Sequence, residues 1–243
     1  MEFRVTFAAL RFGNANGMPN AQYSVAAAGS LPIRIASYQR RKMYDAFLRL
    51  GLRDAETILD IGVTSDRSYD HSNYLECWYP KKSAITAAGI DDGAAFLEDV
   101  YPGVKFVHAD GRDLPFPDHA FDYVHSSAVL EHVGSHAQQA KFVAEAVRVA
   151  RKGVFLTTPN RWFPVEFHTV LPLLHWLPKR QYRKILSATG REFFADEQNL
   201  NLLSAGDLRA ICAGLGPEVR WRIGGVRLLG IVSNLLLVVT KER

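Results

Sequence analysis

Cysteine is nearly absent from the 243 residues; only Cys77 and Cys212 occur, in unrelated contexts. The chain therefore carries neither a disulfide framework nor a Cys-x-x-Cys metal site, and a reducing, cytoplasmic setting is the default expectation. No apolar run reaches the roughly 18 residues that a membrane-spanning helix needs. Residues 1–7 alternate charged and apolar side chains and lack the uninterrupted apolar stretch of a secretory signal. A Gly-x-Gly-x-x-Gly run after the first predicted strand is also missing, which argues against a nicotinamide dehydrogenase. There is no internal repeat, no low-complexity tract and no recognisable RNA-binding module.

What is present is a 48% hydrophobic composition, enough for a full core in one domain with additions. The net charge is +4, but residues 161–191 hold six basic residues (Arg161, Lys179, Arg180, Arg183, Lys184, Arg191) against one acid, Glu166. That segment carries +5 and the rest of the chain about −1, so the positive charge is local. A diffuse nucleic-acid footprint is not the expected reading.

Residues 1–36 are interrupted by Gly13, Gly17, Pro19, Gly29 and Pro32 and read as an irregular lead-in. From Ser37 the apolar spacing is helical and stops at Gly51. Strands are expected at 58–61, 84–90, 104–108, 121–125 and 154–157. Helices are expected between them at 74–78, 94–100 and 141–150. Strand and helix alternate, so residues 37–243 are predicted to form an α/β fold: a doubly wound, mostly parallel, Rossmann-like sheet in three layers. A helical insert is expected around 164–188 within the substrate-side segment 161–191. A helix with Ser204 as N-cap follows, and two apolar runs, 219–223 and 230–240, close the sheet as an antiparallel hairpin.

The three runs that end in Asp60-Ile61-Gly62, Ile90-Asp91 and Ala109-Asp110-Gly111 place acids and glycines at one carboxyl edge of such a sheet. With this order of elements, and with residues 110–124 reading Asp-x-x-x-Leu-Pro-Phe-Pro-Asp-x-x-Phe-Asp-x-Val, the chain resembles the class I S-adenosylmethionine-dependent methyltransferases. The resemblance covers residues 55–160 well and extends to the helix and turn at 145–153. It implies S-adenosylmethionine as cofactor, with Asp60, Gly62 and Thr64 by its methionine part and Asp91 on the ribose hydroxyls. It further implies Asp110 and Gly111 at the adenine edge and Ser126 below the sulfonium. The family's later glycines are replaced here, since Gly62 is followed by Val63-Thr64-Ser65-Asp66, and that departure keeps open a catalytically inactive protein that only binds or regulates. Asp92 is the alternative to Asp91.

Methyl transfer from a sulfonium is an in-line displacement, so the protein chiefly aligns the nucleophile and excludes water. If the acceptor arrives protonated, His125, Glu131, His132, His136 and His168 are the candidate bases, with His132 the first choice for catalysis. Glu131, His132 and His136 do not follow His-Glu-x-x-His spacing and show no third ligand, so no metal is expected. Asn160, Arg161, Trp162 and His168 follow the fifth strand and are candidate substrate contacts. The apolar-aromatic stretch 167–178 beside clustered cations suggests an amphiphilic acceptor, a small molecule or a lipid-linked one, met at a membrane surface. Nucleic acid is disfavoured as acceptor, because His125-Ser126-Ser127-Ala128 is not the Asn/Asp-Pro-Pro-aromatic motif and neither cysteine follows a proline.

Overall fold

The computed structural model describes residues 31–53, 55–67 and 71–241. Residues 1–30 of the expected lead-in over 1–36 lie outside them. Helix α1 (Leu31–Leu48) starts six residues ahead of the expected Ser37, because Pro32 falls in its first turn, where a missing N–H breaks no intrahelical bond.

Seven strands follow: β1 (Ile58–Ile61), β2 (Ile85–Gly89), β3 (Lys105–His108), β4 (Phe121–Ser127), β5 (Ala150–Pro159), β6 (Val219–Leu228) and β7 (Ile231–Lys241). They form one sheet in the order β3-β2-β1-β4-β5-β7-β6. The pairs from β3 through to β5 are parallel, while β7 runs antiparallel to both β5 and β6. The mostly parallel sheet with a closing hairpin is thus as expected, but the hairpin is longer. Gly224 and Gly225 lie inside β6, and the turn is Leu229-Gly230, both at positive φ (50° and 83°), as a two-residue primed turn requires.

Helices α2 (Tyr74–Trp78), α3 (Phe96–Val100), α4 (His136–Val149) and α7 (Ala205–Cys212) cover the sheet, and α5 (Lys179–Ala188) and α6 (Glu192–Ala195) belong to the insert. Strand side chains alternate between faces. Leu59, Ile61, Val124 and Leu156 pack with Phe142, Val143 and Ala146 of α4 and Leu208 of α7, whereas Ile58, Ile85 and Phe155 pack with Phe47 of α1 and Leu75 of α2. The predicted N-cap Ser204 completes a capping box with Asp207, which anchors α7. The insert has its own small core of Tyr182, Leu186, Phe194, Leu200 and Leu202. It is less helical than expected: residues 160–173 are irregular, with Val170 and Leu173 at positive φ (56° and 60°).

Candidate active site

Strand order reverses between β1 and β4, and the carboxyl ends of β1, β2 and β4 open there as a crevice. It encloses about 240 Å³ of space open to solvent and is lined by Asp60, Gly62, Asn73, Tyr74, His125 and Ser127, among others. Gly62 has φ +93°, and a Cβ on it would lie 2.2 Å from Cγ2 of Val129, so the loop leaving β1 can pass the segment after β4 only as glycine. The loop needs no further glycine because side chains close it instead. Asn73 Oδ1 accepts from Thr64 N (3.0 Å) while its Nδ2 donates to Thr64 O (2.8 Å), and Thr64 Oγ1 accepts from Asp66 N (3.0 Å). Thr64 is therefore buried with its hydroxyl turned into the loop, a correction to its expected place on the cofactor. Asn73, which sequence reading overlooked, is legible only as the polar residue just ahead of α2.

Asp91 ends the turn after β2. Its Oδ2 accepts from Ser65 N (2.8 Å) and its Oδ1 from Gly93 N (3.1 Å), so it ties the β1 loop to its own turn. Each oxygen has two acceptor sites, so one on each remains for a vicinal diol. Asp92 points elsewhere, onto Nδ1 of His108 (2.6 Å). Asp110 follows β3, but its carboxylate is gripped by Arg112 through contacts of 2.6–3.0 Å, which hold it below the usual carboxylate range. Gly111 is required by packing: a Cβ there would meet Phe142 at 2.3 Å and Ile61 at 2.8 Å.

Beneath the crevice lies a buried polar chain. Asp60 Oδ1 is 2.7 Å from His125 Nδ1, and His125 Nε2 is 2.8 Å from the Tyr74 hydroxyl. Burial raises Asp60 to about 8 and lowers His125 to about 4. At neutral pH the pair is then an un-ionised acid donating to an un-ionised imidazole, whose Nε2–H donates to Tyr74. Glu76 of α2, fully buried, is also raised well above its ordinary value by burial and by neighbouring Asp60, and neither of its oxygens meets a donor group. Asp60 is thus part of the floor of the site.

A pH dependence of stability follows. An acid at 3.8 in the unfolded chain and about 8 in the fold contributes stability that is complete below pH 3.8 and lost as the pH rises through 8. His125, depressed from 6.5 to about 4, opposes that trend only below pH 6.5. Between pH 6.5 and 8 the Asp60 contribution is unopposed within the pair, so Asp60→Asn should gain in Tm relative to wild type across that window. Two Tm curves that stay parallel from pH 6.5 to 8 would refute the assignment.

The end of β4 corrects two further expectations. Ser126 is buried and its hydroxyl donates to Ile61 O (2.7 Å), because alternation along the strand turns it away from the crevice that His125 and Ser127 line. His132, the expected base, is engaged on both ring nitrogens: its Nδ1 donates to Asn199 O (2.6 Å) and its Nε2 faces Nε2 of His168 at 3.0 Å. Burial and the neighbouring His168 push it down to about 3. For His168, an expected substrate contact, Nδ1 and the backbone N both donate to Glu166 Oε1 (2.7 and 2.8 Å). Adjacent Glu131 is wholly buried, with Oε2 accepting from Thr158 Oγ1 (2.9 Å). His136 is exposed at the start of α4 and stands outside this group.

The insert divides the remaining candidates. Asn160, an expected substrate contact, joins β5 to β7, with Nδ2 donating to Val232 O (2.9 Å) and Oδ1 accepting from Trp162 N (3.1 Å). Arg161 donates to His175 O and Leu177 O, and with Lys179 and Arg183 it lines a second crevice of about 290 Å³. Burial holds both Arg161 and Lys179 below their ordinary values. Trp162 is half-exposed against Trp176. Trp162, Val165, Phe167, Val170, Leu173, Trp176 and Leu177 are all exposed, half of the large apolar side chains so exposed among the described residues, which concentrates them on one short segment. Among the described residues no helix is long and apolar enough to cross a membrane.

Comparison with known proteins bears on this site. A family model described as a methyltransferase domain matches residues 72–158. A "Probable S-adenosylmethionine-dependent methyltransferase" of Mycobacterium tuberculosis is 32% identical over 141 residues, 56% of this chain and 46% of that one. Ajmaline N-methyltransferase of Rauvolfia serpentina is 29% identical over 156 residues, 60% of this chain and 51% of that one. The chain thus spans about half the length of the curated relatives it matches. In fold it is similar to magnesium protoporphyrin IX methyltransferase from Synechocystis PCC 6803, solved with bound S-adenosylhomocysteine (TM-score 0.56, 13% identity, 87% of this chain and 86% of that one). A methyltransferase structure from Methanosarcina mazei aligns with TM-score 0.52 at 17% identity over 80% of this chain and 96% of that one.

Proposed function

We propose that the chain is a class I S-adenosylmethionine-dependent methyltransferase and that it transfers a methyl group to an amphiphilic, anionic acceptor, a small molecule or a lipid-linked one. The observation that carries the cofactor half is Asp91 in the turn after β2, bonded to the loop that leaves β1, with an acceptor site remaining on each oxygen to suit a ribose diol. Gly62 and the Asn73-clamped loop form the wall for the methionine part, and Asp110 and Gly111 lie on the adenine side. Bound there, S-adenosylmethionine supplies an electrophilic methyl group on a sulfonium. The residues of the chain then have to hold an acceptor in line and keep water out; the buried floor of Asp60, His125 and Tyr74 is un-ionised and repels neither partner.

Calorimetric titration of the full chain with S-adenosylmethionine and S-adenosylhomocysteine tests the reading. One site of micromolar affinity is expected, and no binding of either would refute it. Binding of both without turnover on any acceptor would favour the regulatory alternative.

The acceptor half rests on the insert, where exposed aromatic and aliphatic side chains adjoin Arg161, Lys179 and Arg183 around a crevice. Arg180 and Lys184, one turn apart on α5, are exposed beside them and suit an anionic surface. The full chain should co-sediment with anionic vesicles at low salt and not with neutral ones. At about 1 kcal/mol per surface cation, Arg180→Glu with Lys184→Glu should weaken that binding roughly tenfold or more. Failure of the wild type to sediment with anionic vesicles would sink the membrane-surface reading while leaving the cofactor site untouched.

A further inference from the structure

We propose that Glu131, His132 and His168 form a binding site for one divalent first-row transition-metal ion. The ion would pin the insert to the carboxyl edge of β4 and β5. The three residues offer one ligand atom each, and these atoms lie within 4.8 Å of one another.

Three observations converge. The first is proton counting. His132 Nδ1 must carry a proton to satisfy Asn199 O, and His168 Nδ1 must carry one to satisfy the Glu166 carboxylate. Both Nε2 atoms are then left with lone pairs, yet they face each other at 3.0 Å. Either a third proton or a cation has to sit between them. Two imidazole nitrogens bound to one metal at about 2.0–2.1 Å stand roughly 2.9–3.4 Å apart, depending on the angle, so the observed spacing suits a shared ion.

The second is the partner of each ring. A metal-ligating histidine commonly donates its other N–H to a backbone carbonyl or a carboxylate, which fixes the tautomer and aims the lone pair. His132 uses the carbonyl and His168 the carboxylate. Glu166 is in turn held by Thr169, whose N and Oγ1 both donate to its Oε2 at 2.6 Å.

The third is Glu131. Its Oε2 is satisfied by Thr158, but its Oε1 is wholly buried without a hydrogen-bond partner and lies 3.9 Å from His132 Nε2. A buried carboxylate oxygen left unsatisfied is costly, and a cation at this point satisfies it together with both imidazoles. Two imidazoles and one carboxylate favour zinc, cobalt, nickel or iron over magnesium or calcium and leave coordination positions open.

Sequence spacing gave no hint of this, because the third ligand comes from the insert, 36 residues beyond His132. The site joins the turn after β4 to the segment that carries the proposed acceptor crevice, but metal binding does not depend on that proposed function being right.

The test needs neither cofactor nor acceptor. The untagged full chain, stripped with chelator, is titrated with cobalt(II) and with zinc(II). One equivalent of cobalt should bind with the visible d–d absorption of a nitrogen-oxygen site, and zinc should displace it and raise Tm. His168→Ala should weaken zinc binding by at least about 100-fold, Glu166→Gln by about 10–100-fold through the orienting hydrogen bond, and exposed His136→Asn not at all. No saturable uptake of cobalt, zinc, nickel or iron below about millimolar by the folded wild type would overturn the proposal. It would assign the contact to a proton shared between the two imidazoles. Uptake unaltered in His168→Ala and Glu166→Gln would overturn it equally; the wild-type titration stands if a variant fails to fold.

Discussion

Gly62→Ala is expected to lower Tm by roughly 5–15 °C and to abolish measurable S-adenosylmethionine binding. The added Cβ would fall 2.2 Å from Val129 Cγ2 and 2.9 Å from its Cγ1, at a backbone with φ +93°. A left-handed conformation costs an L-residue about 1–2 kcal/mol, and overpacking a filled site about 1–3 kcal/mol more. For a domain of this size each kcal/mol moves Tm by about 2–4 °C. The loop cannot yield without loss, because Gly62 N and Val63 N both donate to Ala88 O and so tie it to β2. Shortening the obstacle should separate the two costs. Gly62→Ala with Val129→Ala should be less destabilised than the sum of the single variants, with the conformational cost remaining. Additive effects in that thermal double-mutant cycle, measured by calorimetry, would show that the collision with Val129 is not what makes glycine necessary.

Asp91→Ala should weaken S-adenosylmethionine binding by about 100-fold or more while shifting Tm far less than Gly62→Ala does. The carboxylate serves two ends of the site at once: it holds Ser65 N and Gly93 N, and it presents its remaining acceptor sites to the proposed ribose diol. Hydrogen bonds to a charged group contribute about 1.5–3 kcal/mol each, and about 2.7 kcal/mol is a 100-fold change in Kd. Asp91→Asn keeps an acceptor for Ser65 N and should fall between the two. Asp92→Ala is the informative control, since Asp92 is spent on His108 at the exposed rim and its loss should change affinity less than about twofold. Calorimetric titration of the three variants decides the matter, and a larger loss in Asp92→Ala than in Asp91→Ala would reverse the two roles.

Local patterns carried much of the fold. The strand at 58–61 and the helix at 74–78 are legible to the residue, because three apolar residues and one acid before a glycine, and a short aromatic-rich turn, leave little freedom. Ser204 was legible as a cap because its partner Asp207 lies three residues on. The strand at 154–157 was read short: β5 spans Ala150–Pro159, since its ends contain Arg151, Lys152 and threonines, and only pairing with β4 and β7 holds them extended. The expected break between the runs 219–223 and 230–240 fails for the complementary reason, since it contains Gly224 and Gly225. Glycine is permissive alone, and β6 continues through them only because β7 pairs alongside and Val232 leaves no room for a Cβ at Gly225.

The candidate site divides along the same line. Which residues end the strands is a one-dimensional property, so Asp60, Gly62, Asp91, Asp110 and Gly111 were placed at one edge of the sheet from sequence alone, along with the alternation that makes the sheet parallel and the local cluster of cations at 161–191. What each side chain does there depends on neighbours distant in the chain. Ile61 O takes the Ser126 hydroxyl and Val232 O takes the Asn160 amide. The tertiary structure alone decided that His168 meets Glu131 and His132 and that Asp60, Glu76 and His125 lie buried together. Hydrogen bonds and burial are contacts in space, and no spacing along the chain encodes them once the partners lie on different strands.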